Sequence, residues 1–404
     1  MASPPVTIED VKAARALLEG VIRDTPVQGS RPLSERVGGP VWLKCENLQR
    51  AGSFKIRGAY TRISRLTPEE SARGVVAASA GNHAQGVALA ASLRGISSTV
   101  FMPDGAPIPK VQATKAYGAT VRFHGSSVDD ALTAARAFAE ETGAVLVHPF
   151  DHPDIVAGQG TVGLEILEQV PDVRTVVVCT GGGGLLAGIA LAVKSTRPDV
   201  RVVGVQAERA AAFPASLAAG KPVVLDRMST MADGIAVGCP GPVPFEIVQQ
   251  HVDEMLTVSE ESISRALLLC LERAKLVVEP AGAAGVAAVL DDPRAFEPPV
   301  AVVLSGGNID PLLLMRVLRH GLAVAGRFLS FRVRISDSPG ALVELLAEVA
   351  AAGASVLEVE HVRTDPRLRV DEVEVRLQLE TRGEEHCDEV LTRLRAAGYQ
   401  LVFG

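Results

Sequence analysis

Between residues 74 and 307 the chain alternates continuous apolar, β-branched runs with helical stretches, and this alternation limits the fold more than any other feature. GVVAAS (74–79) precedes a helical pattern through HAQGVALAASLR; STVFMP (98–103) precedes KVQATKAYG; ATVRFHG (119–125) precedes VDDALTAARAFAEETG; AVLVHPF (144–150) precedes a helix through Leu167. RTVVVCT (174–180), VRVVGVQAE (200–208) and PVAVVLSGG (299–307) continue the series. Runs without polar alternation are buried on both faces, as in a parallel sheet covered by helices on either side. The pattern predicts an α/β protein with open, parallel, three-layer sheets. In such sheets ligands gather at the carboxyl ends of the strands, against helix N-termini.

After Arg327 the pattern changes. FLSFRVRIS, PGALVELLAEVAAAGA, SVLEVEHVRT, DEVEVRLQLE, EEHCDEVLTRLRAAG and YQLVF spell β-α-β-β-α-β, with period-two alternation in the strands. That order predicts a small ferredoxin-like module. HGLAVAGR (320–327) reads as the hinge before it.

A chain of 404 residues, 47% apolar and 22% charged, can bury more than one core. The net charge is −7 and the basic residues are scattered, which argues against nucleic acid as a partner. Five dispersed cysteines without a CxxC pair suit a reducing compartment. Neither a signal peptide nor an apolar run long enough to span a bilayer is visible, so the expectation is a cytoplasmic protein without membrane partners.

Against that frame, GSFKIRGAY (52–60) is unusual because it sets Lys55 where a helix should begin, with Ser53 the expected N-cap. The positive end of the helix dipole disfavours an ammonium there and favours a neutral, nucleophilic amine. In CTGGGGLLAGIALAV (179–193) four glycines join an apolar strand to an apolar helix. A plain turn is one reading; the other is that the amides of Gly181, Gly182, Gly183 and Gly184 converge on a phosphate. SAGNHAQG (79–86) makes a third strand-to-helix turn, in which Asn82 either caps the helix or hydrogen-bonds a ligand, and His83 reads as packed. In SGGNID (305–310), Ser305 is a turn residue or a single hydrogen-bond partner at the sheet's rim. A nucleophilic lysine, a phosphate cradle and a polar contact for a ring nitrogen together suit pyridoxal 5′-phosphate.

SFKIRGA, SAGNHAQG, the tetraglycine followed by leucine, MADG (231–234) and SGGNID, in this order, resemble the threonine/serine dehydratase (threonine ammonia-lyase) family over about residues 8 to 320. The resemblance implies a fold-type II pyridoxal-phosphate enzyme of the tryptophan-synthase-β-like type. Its catalytic domain would span 1–326, with a smaller subdomain of about 45–150 inserted in a larger one formed by 1–44 and 151–319. By the same resemblance Lys55 would bind the cofactor's carbonyl and later remove the substrate's α-proton. Phe54 would flank the ring, and Asn82 would bond its 3′-oxygen. Gly181, Gly182, Gly183, Gly184 and Leu185 would hold the phosphate, and Ser305 would meet the pyridine nitrogen. Ser79, Ala80, Gly81, Asn82 and His83 would seat the substrate carboxylate.

A neutral hydroxyl at the pyridine nitrogen makes the ring a weaker electron sink than a carboxylate would, which favours loss of a β-substituent over transamination. The implied reaction is dehydration and deamination of L-threonine to 2-oxobutanoate, with L-serine a further substrate, in a role such as isoleucine biosynthesis. The departing hydroxyl would be protonated by the cofactor phosphate. Serine as main substrate, a β-replacement synthase, a serine racemase and a non-catalytic amino-acid sensor are the alternatives. Racemases resembling this family carry a serine where this chain has Ala80. Their divalent-metal site would use Glu208, but a second acid is missing, so no metal is assigned. Residues 327–404 resemble an ACT regulatory domain. SDSPGALVELL (336–346) matches its strand-to-helix turn, which implies an amino-acid effector near Asp337 and Gly340, the alternative being a module that only promotes oligomerisation; a homodimer or homotetramer is expected.

Overall fold

In the computed structural model, which describes residues 6–363 and 368–403, the chain divides into two compact units between Pro311 and Leu312. The first contains strands β1 (Val27–Gly29), β2 (Val41–Lys44), β3 (Val75–Ala78), β4 (Ser98–Met102), β5 (Thr120–Phe123), β6 (Val145–Leu146), β7 (Thr175–Cys179), β8 (Arg201–Ala207), β9 (Glu254–Val258) and β10 (Val300–Val303). They form two sheets. One runs β1-β2-β10-β7-β8-β9, parallel except for the β1–β2 pair; the other, β5-β4-β3-β6, is parallel throughout. Every strand of the smaller sheet comes from one continuous stretch of chain, while the larger sheet draws on segments before and after it.

Of the apolar runs, β3, β7 and β10 are buried at every residue, whereas β5, the edge strand of the smaller sheet, is largely exposed because it has a neighbour on one side only. The strand expected over 144–150 is shorter. Only Val145 and Leu146 pair as a strand, and after Val147 donates to the Val76 carbonyl the chain turns out through His148 and Pro149. A proline cannot extend a ladder. β1, β2 and β9 lie outside the sequence pattern, because a three-residue strand or a half-buried one such as β9 gives no continuous apolar run.

The second unit opens one residue into a helix, Pro311–Val324, followed by β11 (Phe328–Ser336), a helix Ala341–Ala351, β12 (Ser355–Val362), β13 (Glu372–Glu380), a helix Glu384–Ala396 and β14 (Leu401–Val402). The antiparallel sheet runs β12-β13-β11-β14, the ferredoxin-like order. Alternate residues of β11 and β13, such as Phe331, Val333, Val375 and Leu377, pack against Leu345 and Leu394 of the two helices. The segment 320–327, read from sequence as the hinge, ends the first helix and is tied into this unit. The Gly326 carbonyl accepts from Thr381 Oγ1 at 2.7 Å and from the Gly383 amide at 3.0 Å.

Candidate active site

The lysine of the GSFKIRGAY stretch is the first residue of a helix, Lys55–Ser64, but Ser53 does not cap it. Ser53 is extended, bridges to Gly306 in antiparallel fashion, and its buried hydroxyl has no partner among the described residues; the capping position falls to Phe54, without a side-chain bond. What fixes the helix entrance is the SGGNID turn. The Phe54 amide donates to the Ser305 carbonyl at 3.1 Å, and the Gly307 amide to the Gly52 carbonyl at 2.9 Å. The expectation of a serine cap fails because this tertiary bridge takes over the backbone around it.

Two close approaches seat the helix. A Cβ on Gly86 would lie 3.0 Å from Lys55 Cβ, and one on Gly158 would lie 2.6 Å from the Arg57 carbonyl, so the neighbouring helices Asn82–Leu93 and Pro153–Gln169 can come this near only with glycine there. Below the site Arg57 is fully buried. Its Nε donates to Glu46 at 2.8 Å and its Nη2 to Glu165 at 2.9 Å, while Lys44 Nζ reaches Glu165 at 2.6 Å. Two cations thus face two carboxylates, and burial is offset by pairing.

Burial is the main cause that lowers the Lys55 amine from 10.5 to about 8, against Glu279 and Cys179, which act to raise it. The amine donates to the Pro149 carbonyl at 3.0 Å and lies 5.1 Å from the centre of the Phe54 ring. Nearby, burial and then Lys55 hold His83 neutral, down to about 3, and its Nε2 sits 2.7 Å from the Val147 carbonyl. A carbonyl only accepts, so that nitrogen carries the hydrogen. His83 is packed, as its sequence suggested.

Asn82, half-buried, does not cap its helix. The cap is Gly81, and Asn82 Nδ2 donates to Glu279 Oε1 at 2.6 Å while Asn308 Nδ2 donates to Asn82 Oδ1 at 2.8 Å. Asn308 Nδ2 also serves the Ala51 carbonyl at 2.7 Å, which fixes the orientation of both amides. Glu279 was not visible as a site residue in the sequence, where it is one acid preceding a proline. Burial, with Asp233 adding to it, raises its carboxyl from 4.5 to about 7.

The four glycines follow β7, and Gly183, at φ 100°, caps the helix Gly184–Thr196. Here the turn and cradle readings combine. A Cβ on Gly182 would lie 2.4 Å from the Phe150 ring and one on Gly183 2.6 Å from Phe213, so side chains are excluded on the packed side. On the other side the amides of Gly182, Gly183, Gly184 and Leu185 have no acceptor among the described residues, as the first turn of a helix leaves them. Ser305 is buried two residues past the end of β10, near Cys179, whose thiol burial pushes up to about 11. Unengaged amides at a helix N-terminus, an amine of lowered pKa and a buried hydroxyl fit pyridoxal phosphate.

The SAGNH turn holds fewer free amides than its sequence suggested. The Ser79 amide donates to the Phe101 carbonyl at 3.1 Å, and the Gly81 amide to Ser79 Oγ at 3.1 Å. Those of Ala80, Asn82 and His83 remain without an acceptor among the described residues.

Residues 18–306 match the pyridoxal-phosphate dependent enzyme family. The chain belongs to that family. An L-threonine ammonia-lyase of Thermotoga maritima is 49% identical to this pyridoxal-phosphate enzyme over 98% of this chain and 99% of its own. Among solved structures, the processed form of threonine deaminase isoform 2 from Solanum lycopersicum superposes with a TM-score of 0.75 at 34% identity, covering 78% of this chain and 90% of that one. A maize serine racemase gives 0.74 at 37% identity, covering 80% and 99%.

In the second unit of the enzyme, Asp337 ends the β11 turn and accepts from Arg363 Nη2 at 3.1 Å, beside a surface pocket that Ser336, Ser338 and His361 also line. Gly340, at φ 100°, caps the helix that follows. No helix among the described residues is long and apolar enough to cross a membrane.

Proposed function

We propose that the protein is an L-threonine ammonia-lyase, converting L-threonine to 2-oxobutanoate and ammonia, and L-serine to pyruvate by the same route. The observation that carries this reading is the Lys55 amine: half-buried, with its pKa lowered to about 8 so that far more of it is uncharged than in a surface lysine, in a chain that matches a threonine ammonia-lyase along nearly its whole length. Lys55 would hold the cofactor, with its phosphate on the amides of Gly181 to Leu185, Phe54 beside the ring, Asn82 at the 3′-oxygen and Ser305 at the pyridine nitrogen. When bound, pyridoxal phosphate withdraws electrons from the substrate's Cα, which acidifies the α-proton and favours departure of the β-hydroxyl.

Lys55 Nζ, uncharged, accepts the α-proton. The amides of Ala80, Asn82 and His83 hold the carboxylate, and the buried Ser305 hydroxyl supplies a neutral partner in place of a carboxylate. Water leaves, and the released enamine tautomerises and takes up water to give the 2-oxo acid and ammonia. The Ala80 methyl has no proton to deliver to the opposite face, which disfavours racemisation.

Purified holoenzyme is expected to form 2-oxobutanoate from L-threonine and no D-serine from L-serine. Borohydride reduction followed by peptide mapping should place the label on Lys55, and K55A should lose both label and turnover. A label elsewhere would overturn the assignment.

The second unit is proposed as an ACT-type regulatory domain that binds an amino acid beside Asp337, at the turn before Gly340. The edge strand β12, with Val356, Leu357 and Val359 exposed, supports pairing into a homodimer or homotetramer.

A further inference from the structure

Lys110 opens the KVQATKAYG stretch, whose sequence marks it only as the start of a helix, yet its amine is a buried cation beside the carboxylate turn. It lies in the first turn of the helix Ile108–Ala116, which follows β4 in the smaller sheet. Its Nζ pairs with Asp233 Oδ2 at 2.6 Å, and Asp233 belongs to the MADG segment between β8 and β9 of the larger sheet. The pair is lopsided, because the lysine side chain is 10% exposed and the aspartate 58%. A Cβ placed on Gly81 would meet only one described atom within 4 Å, and that atom is Lys110 Nζ at 3.8 Å. The space over the turn is therefore open except for an ammonium. Glu279 stands within electrostatic reach of both partners.

We infer that Lys110 is the counter-ion of the substrate's α-carboxylate, and that Asp233 holds it in place until substrate arrives. The carboxylate, resting on the amides of Ala80, Asn82 and His83, meets the ammonium from the other side. Lys110 then exchanges Asp233 for the ligand. The exchange is favourable in direction: the exposed aspartate returns to water with little loss, while the buried ammonium keeps an anion throughout. The inference rests on the reading of residues 79–83 as the carboxylate seat.

The test uses holoenzyme and L-2-aminobutyrate, which lacks the β-hydroxyl and is not dehydrated, beside its carboxamide. Dissociation constants come from the change in cofactor absorbance. Wild type should prefer the acid to the amide. K110Q should lose about tenfold or more of that preference, by weakening the acid alone, as expected for removal of a charge-assisted hydrogen bond. K110R should retain most of it. In turnover of L-threonine, K110Q should raise KM by more than it lowers kcat. Cofactor content and absorbance of K110Q show that the variant is folded. If K110Q weakens both ligands alike and keeps the wild-type ratio, the lysine is structural and the inference fails, while the lyase assignment stands. If wild type responds to neither ligand and forms no 2-oxobutanoate, the functional reading fails and the inference with it.

Discussion

A lysine amine that loses its charge near pH 8 is a nucleophile under conditions where a surface lysine is not. The cause is burial between two sheets, acting in the same direction as the helix N-terminus to which the sequence assigns it. Because the amine is the base form, lowering its pKa enlarges the reactive fraction at every pH below the ordinary value. The rate at which apoprotein takes up pyridoxal phosphate should therefore rise with pH and level off above about 8 rather than near 10.5. Stopped-flow absorbance across that range checks this, and a midpoint above 10 would show an amine exposed to solvent. Lys55 and Asn82 could be picked out as chemistry-bearing residues from their turns alone. Glu279 and Lys110 could not, since each is a lone charged residue until the chain folds and brings Asn82 against one and Gly81 against the other.

The helix Lys55–Ser64 is held by its neighbours more than by its own ends, since it lacks a side-chain cap and carries no acid in its first turn. Arg57 supplies part of what the cap does not. Burial acts against its charge, and Glu46 and Glu165 more than offset this and raise its pKa. Replacing it with alanine leaves two carboxylates facing a single remaining cation, Lys44. R57A should destabilise the protein by about 3–5 kcal/mol, as for other buried pairs broken on one side, measured by denaturant unfolding of the apoprotein. A loss below about 1 kcal/mol would mean that water enters and solvates the pair. The strand elements β3, β7 and β10 were legible because burial on both faces leaves an unbroken apolar record. β1, β2 and β9 were not, for their burial is partial or their length too short.

For the molecule as a whole, the division at 311/312 separates an α/β unit containing every proposed catalytic residue from a ferredoxin-like unit containing Asp337. The maize racemase chain is covered almost completely by 80% of this one, so a fold of this kind stands without the remaining fifth of the chain. Truncation after Pro311 should leave L-threonine turnover and abolish any response to amino-acid effectors. Steady-state rates of both forms, with and without isoleucine or valine, decide it; equal responses in the two forms would remove the regulatory role from the second unit.

What the sequence determined alone is the succession of parallel strands, the change of architecture after Arg327 and the turns at which ligand-binding groups collect. Those features depend on local periodicity and on glycine, which neighbouring residues reveal. Tertiary structure decided how the lysine helix begins, which amides of the SAGNH turn stay free, and which distant charges face the site. Such choices depend on contacts between segments far apart in the chain, as when Ser305 receives the Phe54 amide and Asp233 meets Lys110, and no run of neighbouring residues encodes them.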